Sequence, residues 1–303
     1  MTIPAPIPTI SPGGRPLPTG RPPIRMVALD LDGTLLTSRK SITPFTHTAV
    51  KLTMARGIHV VLATARPPRS VRGYYAALKL TTPTINYNGA LIWDEATRRV
   101  IEHVPLDVRI ARKVIAWGRK RYPELLVSVE ILDKWYTDHT SDVPEYMTET
   151  AKHFTPDFVG PIEAFLTVPI TKLMLLGDPA WIADIELAAV ERFGNAIAQT
   201  RSDPHLLQIM NPTISKAGGL AKVAASLGVD PSEVLAIGDA PNDIPMLEWA
   251  GLAVAPQNGW DAARQMAHAI VPSNDADGVG VALQYFVLNQ PPAPASFPVS
   301  PTL

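Results

Sequence analysis

The sequence predicts a doubly wound α/β fold: a parallel sheet flanked by helices and interrupted by a large inserted α/β unit. Three observations lead there. Short apolar runs at Met26–Leu29, 58–63 and Thr84–Asn86 alternate with helical patterns, and each run ends in polar residues. Such alternation is the signature of a parallel sheet. From Ala90 the texture changes to hairpins and longer helices, and near Ser215 the first pattern resumes. Four polar clusters also fall at carboxyl ends of predicted strands or at the start of the next helix. That edge is where open α/β sheets bind ligands.

Taken in order, residues 1–23 hold eight prolines and almost no periodic apolar pattern. They are expected to be a disordered tail, with a docking segment as the alternative. Residues 291–303, with five more prolines, read the same way. Met26–Leu29 is apolar throughout, as a strand buried on both faces is. Thr43 then offers an N-cap and Pro44 a first helical residue, with Phe45, Ala49, Leu52 and Ala55 at helical spacing and Gly57 as the stop. A strand at 58–63 follows, then a helix with Val71, Tyr74, Tyr75 and Leu78 on its apolar side, and Thr84–Asn86 is expected as a third parallel strand.

In the insert, 91–93 and 100–101 flank a turn and predict a hairpin. Ile110, Val114 and Trp117 mark a helix, and 125–132 and Lys172–Leu176 read as strands. Asp178 caps a helix that Gly194 closes, and strands are expected near Ile197 and at Leu206–Met210. Residues 133–168 give no pattern. After Ser215 come a helix through Leu220 and Val223, the strand Val234–Ile237, a helix through Met246, the strand 252–255, a short helix, the strand Ala269–Val271 and a last helix from Val279. The expected organisation is therefore a core of 24–89 and 210–290, an inserted cap of 90–209, and disordered tails at 1–23 and 291–303.

Composition narrows the function. The 303 residues exceed one ordinary core. A formal charge of -1 argues against a nucleic-acid or polybasic membrane role. The absence of cysteine excludes disulfides, thiolate metal sites and cysteine nucleophiles. No apolar run reaches the roughly 18 residues that span a bilayer, and the N-terminus lacks the pattern of a signal peptide. A cytoplasmic enzyme with a small-molecule substrate, and with no nucleic-acid or membrane partner, is expected. The oligomeric state is left open.

The four clusters carry the chemistry. Asp30 and Asp32 lie one residue apart at the end of the first strand, where two carboxylates repel unless a cation or shared proton intervenes. Mg²⁺, a hard cation that takes oxygen ligands, resolves this most simply. One carboxylate can attack an electrophile, and one two residues on can shuttle the proton. Thr64 ends the second strand, where its hydroxyl and the next helix's free amides suit a phosphoryl oxygen. Lys216 opens a helix, against the macrodipole. Asp239, Asn242 and Asp243 gather oxygen donors after a buried strand. Singly, each has a plain structural counterpart: a turn, a cap, a surface lysine, an N-cap. Together they supply what phosphoryl transfer requires, a nucleophile, a cation and donors for developing charge.

These residues carry a resemblance. Asp30-Leu-Asp-Gly-Thr-Leu-Leu36, Thr64-Ala-Arg66, Lys216 and Gly238-Asp-Ala-Pro-Asn-Asp243 resemble the four motifs of the haloacid dehalogenase superfamily. Asn86-Tyr-Asn-Gly-Ala90 and Ser273-Asn-Asp-Ala-Asp-Gly-Val279 are similar to its Cof-type branch of phosphatases, whose type IIB α/β cap is inserted between the second and third motifs. The likeness spans about 24–288. It implies a Rossmann-like core and a Mg²⁺-dependent phosphomonoester hydrolase acting through an aspartyl-phosphate. It further implies Asp30 as nucleophile and Asp32 as general acid and base. Asp30, Asp32 through its carbonyl, Asp239 and Asp243 would serve the metal, and Thr64, Lys216, Asn242 and Asn88 the phosphate. Ala65, Gln208 and Pro256-Gln-Asn258 depart from the branch's pattern without removing a catalytic group. A phosphomutase and a non-catalytic sensor of phosphometabolites are the alternatives. Trp135, Tyr136, His139 and Arg201 of the insert are candidates to contact a leaving group, whose identity the residues do not fix.

Overall fold

The structure, a computed structural model, describes residues 9–10, 14–140 and 150–289. It divides into two compact units, one of 1–63, 78–82 and 220–303 and one of 64–77 and 83–219.

The first unit is built on a six-stranded sheet in the order Thr9–Ile10, Ala269–Val271, Leu252–Pro256, Val234–Ile237, Met26–Leu29, His59–Leu62. All pairings are parallel except that of Thr9–Ile10, which runs antiparallel to Ala269 and Ile270. Met26–Leu29 and Val234–Ile237 are buried at every position, which is why their sequences are apolar without alternation. Asp30 therefore emerges from an interior strand, next to the edge strand His59–Leu62, its amide bonded to the Ile237 carbonyl at 3.0 Å.

The helix Pro44–Ala55 starts as expected, with Thr43 accepting from the Thr46 amide. Its buried face differs from expectation. Thr46, Ala49, Val50 and Thr53 point inward, while Phe45 and Leu52 are exposed. The Phe45 ring instead lies along Gly280, where an added Cβ would stand 2.6 Å from it. Small residues on the inward face let this helix sit close to the Gly278–Leu283 helix. The proline-rich lead also differs in part. Thr9–Ile10 forms the edge strand, Arg15 donates to the Leu247 carbonyl at 3.0 Å and Arg21 to that of Phe286 at 3.3 Å. The expectation for 1–8, 11–13 and 291–303 lies outside the described residues.

The second unit holds the insert. Its main sheet has the order Ala198–Asp203, Leu206–Met210, Lys172–Leu176, Leu126–Ile131, Lys134–Thr137, Phe158–Val159, antiparallel but for the last pair. Strand alternation splits the sheet into two faces. Val127, Val129, Leu173, Leu175, Leu207 and Ile209 pack on the helices Val108–Arg121 and Pro179–Phe193. Ser128, Glu130, Lys172, Met174 and Gln208 lie on the opposite face and are also buried. The unpatterned stretch 133–168 supplies the short strands Lys134–Thr137 and Phe158–Val159 and the single turn of helix Ile162–Phe165.

Thr84–Asn86 is not a third parallel strand. It pairs antiparallel with Leu91–Asp94, which pairs in turn with Arg99–His103, in a separate three-stranded sheet. Its Ile85 carbonyl accepts from the Thr64 amide, just beyond the end of His59–Leu62.

Candidate active site

Two groups of the expected residues are assembled, one in each unit. In the first, ligand oxygens of Asp30, Asp239 and Asp243 lie within 4.8 Å of one another, all buried. Asp239 ends the Val234–Ile237 strand as Asp30 ends its neighbour. The Asp239 carboxylate accepts from the Thr34 hydroxyl at 2.7 Å, and Asp243 accepts from the Asp239 and Ala240 amides at 3.0 Å each. Gly33 lies at φ +83 with Asp239 packed on it: an added Cβ would stand 2.4 Å from its Oδ2. Glycine is needed there both for the turn and for that approach. Three hard carboxylate oxygens gathered at one point, with an orienting hydroxyl and amides around them, fit a Mg²⁺ site.

Asp32 takes a different place from the one an extended chain would give it. After Leu29 the chain leaves the sheet and coils, with the Leu35 amide bonding back to Asp30 and the Leu36 amide to Leu31. The Asp32 carboxylate is partly exposed and receives Lys40 Nζ at 2.7 Å. Sequence inspection missed Lys40, which sits at φ +57 in the following turn. It also gave no role to Asn258, one of the departures noted above. Its side chain donates to the Gly33 carbonyl at 2.8 Å and accepts from the Asn274 amide, so it braces the first motif. Asn242 occupies the one-turn segment Pro241–Asp243.

In the second unit, Thr64, Asn88 and Lys216 are grouped by backbone contacts. Thr64 donates its amide to Ile85 at 2.8 Å and accepts the Asn88 amide at 2.9 Å. Gly89, at φ +102, lies so close to the Ser215 carbonyl that a Cβ would stand 2.2 Å away, which sets Lys216 beside the same loop. Thr64 and Lys216 are fully buried. Of the insert candidates, Trp135 packs against Leu126, Met174 and Leu206, and Tyr136 stacks on Phe158 at 4.8 Å. Arg201 pairs with Glu186 at 3.1 Å, and His139 is exposed.

The same unit buries a mixed charge cluster. Arg69 Nη2 contacts both Glu130 oxygens at 2.7 and 2.8 Å, the Tyr87 hydroxyl donates toward Glu130 at 3.1 Å, and Lys172 is the register partner of Glu130. Burial pushes the Glu130 carboxyl up, against Lys172 and Arg69, and draws the Lys172 ammonium down. Burial opposes the Arg69 charge, yet Glu130, Tyr87 and Asp133 outweigh it and its pKa rises.

A family model for haloacid dehalogenase-like hydrolases matches residues 27–283. The chain belongs to that family. It is 32% identical over 270 residues to a 5-amino-6-(5-phospho-D-ribitylamino)uracil phosphatase of Bacillus subtilis, covering 87% of this chain and 98% of that one. A pyridoxal phosphate phosphatase of Escherichia coli is 27% identical, over 84% of this chain and 96% of its own. A haloacid dehalogenase-like hydrolase of Bacteroides thetaiotaomicron shares the structure at a TM-score of 0.78, with 26% identity, 86% of this chain and 98% of the other covered. Family membership and the phosphatases among its relatives make this protein a phosphatase, with a parallel-sheet core and a second, cap-like sheet. No helix among the described residues is long and apolar enough to cross a membrane.

Proposed function

We propose that this haloacid dehalogenase-like hydrolase is a Mg²⁺-dependent phosphomonoesterase that works through an aspartyl-phosphate on Asp30. The observation that carries it is the convergence of Asp30, Asp239 and Asp243 within 4.8 Å. An Asp30 oxygen attacks phosphorus, the ester P–O bond breaks, and Asp32 protonates the departing alkoxide. Asp32 then takes a proton from water, whose oxygen attacks the same phosphorus and frees Asp30 and inorganic phosphate. Asp30, Asp239 and the Asp32 carbonyl would hold the Mg²⁺, with Asp243 in support. When bound, the ion supplies positive charge to the phosphoryl oxygens. Thr64, Asn88, Asn242 and Lys216 hold the phosphoryl group.

The substrate is a small phosphorylated metabolite, as it is for relatives named for a phosphorylated ribitylaminouracil and for pyridoxal phosphate. The insert, taken as 90–209, selects it. The test is inorganic phosphate release from a panel of phosphometabolites and an aryl phosphate, with Mg²⁺ and with chelator. Release should need Mg²⁺ and vanish in Asp30→Asn; release that persists in that variant sinks the proposal. Interconversion of sugar phosphates without phosphate release would point to a phosphomutase instead.

A further inference from the structure

Tyr87 and Asn88 are consecutive non-glycine residues in the left-handed region, at φ +50 and +56. Left-handed backbone is unfavourable for side chains with a Cβ, so a run of two persists only where surrounding contacts enforce it. Part of that enforcement is local: the Tyr87 amide and the Asn86 side chain both donate to the Arg66 carbonyl, at 3.3 and 3.1 Å.

The remainder comes from the insert. The Tyr87 side chain is fully buried, and its hydroxyl donates to the Leu132 carbonyl at 2.7 Å and toward Glu130 at 3.1 Å. Lys172 Nζ lies 5.1 Å from the ring centroid. Burial pushes the phenol well above its ordinary pKa, so it remains a donor. The turn after Glu130 reaches the other flank of the same loop. Asp133 accepts from the Arg69 amide at 2.8 Å and pairs with Arg72 at 3.1 Å, in the helix Pro68–Leu78 that follows Thr64. Among the described residues the buried Arg69 Nε and Nη1 have no hydrogen-bond partner, Nη1 lying 3.6 Å from Asp133 Oδ1. Apolar side chains would serve stability as well as an incompletely satisfied ion cluster does.

We propose that Tyr87 and Glu130 are positioning residues. The hairpin of Leu126–Ile131 and Lys134–Thr137 grips the Tyr87 hydroxyl, fixes the left-handed loop, and so sets Thr64 and Asn88 for the phosphoryl group without touching substrate. The inference rests on the proposed phosphate-side role of Thr64 and Asn88. It goes further by coupling the substrate-selecting insert to the chemical step.

The experiment uses the full chain with Mg²⁺ and an aryl phosphate. Tyr87→Phe keeps the ring and removes the hydroxyl. It should lower kcat about tenfold, the effect of one lost buried hydrogen bond, at nearly unchanged KM. Inhibition by orthovanadate should weaken by a similar factor while inhibition by inorganic phosphate moves less, since a transition-state mimic senses placement more than a ground-state ligand does. Amide hydrogen exchange at 86–89 should accelerate. Glu130→Gln should do the same more weakly, and it carries the test if Tyr87→Phe does not fold.

A purely structural role would lower the thermal midpoint and leave kcat per folded molecule and the vanadate constant where they were; that result overturns the inference. So does unchanged exchange at 86–89, or failure of both variants to fold. Wild-type inactivity with accelerated exchange in the variants would overturn the phosphatase reading alone and leave the anchoring of the loop standing.

Discussion

Each unit buries a cluster of charged side chains, and the two differ in sign. Asp30, Asp239 and Asp243 gather like charges, whereas Arg69, Glu130 and Lys172 gather opposite ones. Opposite charges can settle among themselves, and their strict geometry then serves to hold other groups in place. Like charges held together store repulsion that suits a divalent cation. The sign pattern of a buried cluster thus separates a site made for a ligand from one made for its own chain.

That contrast can be broken by substitution. The largest effect is expected from Asp239→Asn, which removes an oxygen of the proposed metal site but little volume. Phosphate release should fall at least about a thousandfold, upward of about 4 kcal/mol in the barrier, with the urea midpoint little changed. Glu130→Ala should shift the main effect from turnover to stability, with only the modest kcat loss of a positioning residue. It strands Arg69 and Lys172, so unfolding in urea should be easier by about 3 kcal/mol, near the lower end for a broken buried ion pair. If Glu130→Ala is as stable as wild type, the mixed cluster is not the anchor described above.

His268 gives a third, pH-dependent test within the first unit. It is buried, and its Nδ1 accepts from the Ala253 amide at 2.9 Å. Burial chiefly, with Arg15 nearby, lowers its pKa to about 4 from 6.5. The folded state therefore resists a proton that the unfolded chain accepts, so stability is whole above about pH 6.5 and is lost as pH falls toward 4. The expected loss is about 3 kcal/mol by chemical denaturation, at roughly 1.4 kcal/mol per unit. His268→Gln, which keeps an acceptor, should flatten the slope; an unaltered slope would assign the acid response to the carboxylates. The smallest effect is that of Mg²⁺ itself, which at ten times its Kd should stabilise wild type by about 1.4 kcal/mol. The thermal midpoint of Asp239→Asn should not follow.

Much of the first cluster was legible because catalysis ties residue type to strand ends. Met26–Leu29 announces a buried strand by composition alone, and the acidic residues after it have no apolar reason to be there. The path of Asp32 was not legible, since it depends on a coil set by hydrogen bonds at Leu35 and Leu36. Neither was the face of Pro44–Ala55, where Gly280 admits Phe45 from the side and polar Thr46 and Thr53 face inward. Thr84–Asn86 misled because three apolar-flanked residues fit either sheet, and only long-range pairing decides. The mixed cluster left one unused signal: Glu130 near the end of one largely apolar strand and Lys172 at the start of another, which antiparallel register brings together.

Gly33 has a practical consequence. A single methyl there would press into the Asp239 carboxylate while every acidic group of the cluster stayed in the sequence. Gly33→Ala is thus a route to a protein that retains its ionisable side chains but turns over poorly. Immobilised, it could serve as bait for retrieving the natural phosphoester from a metabolite extract.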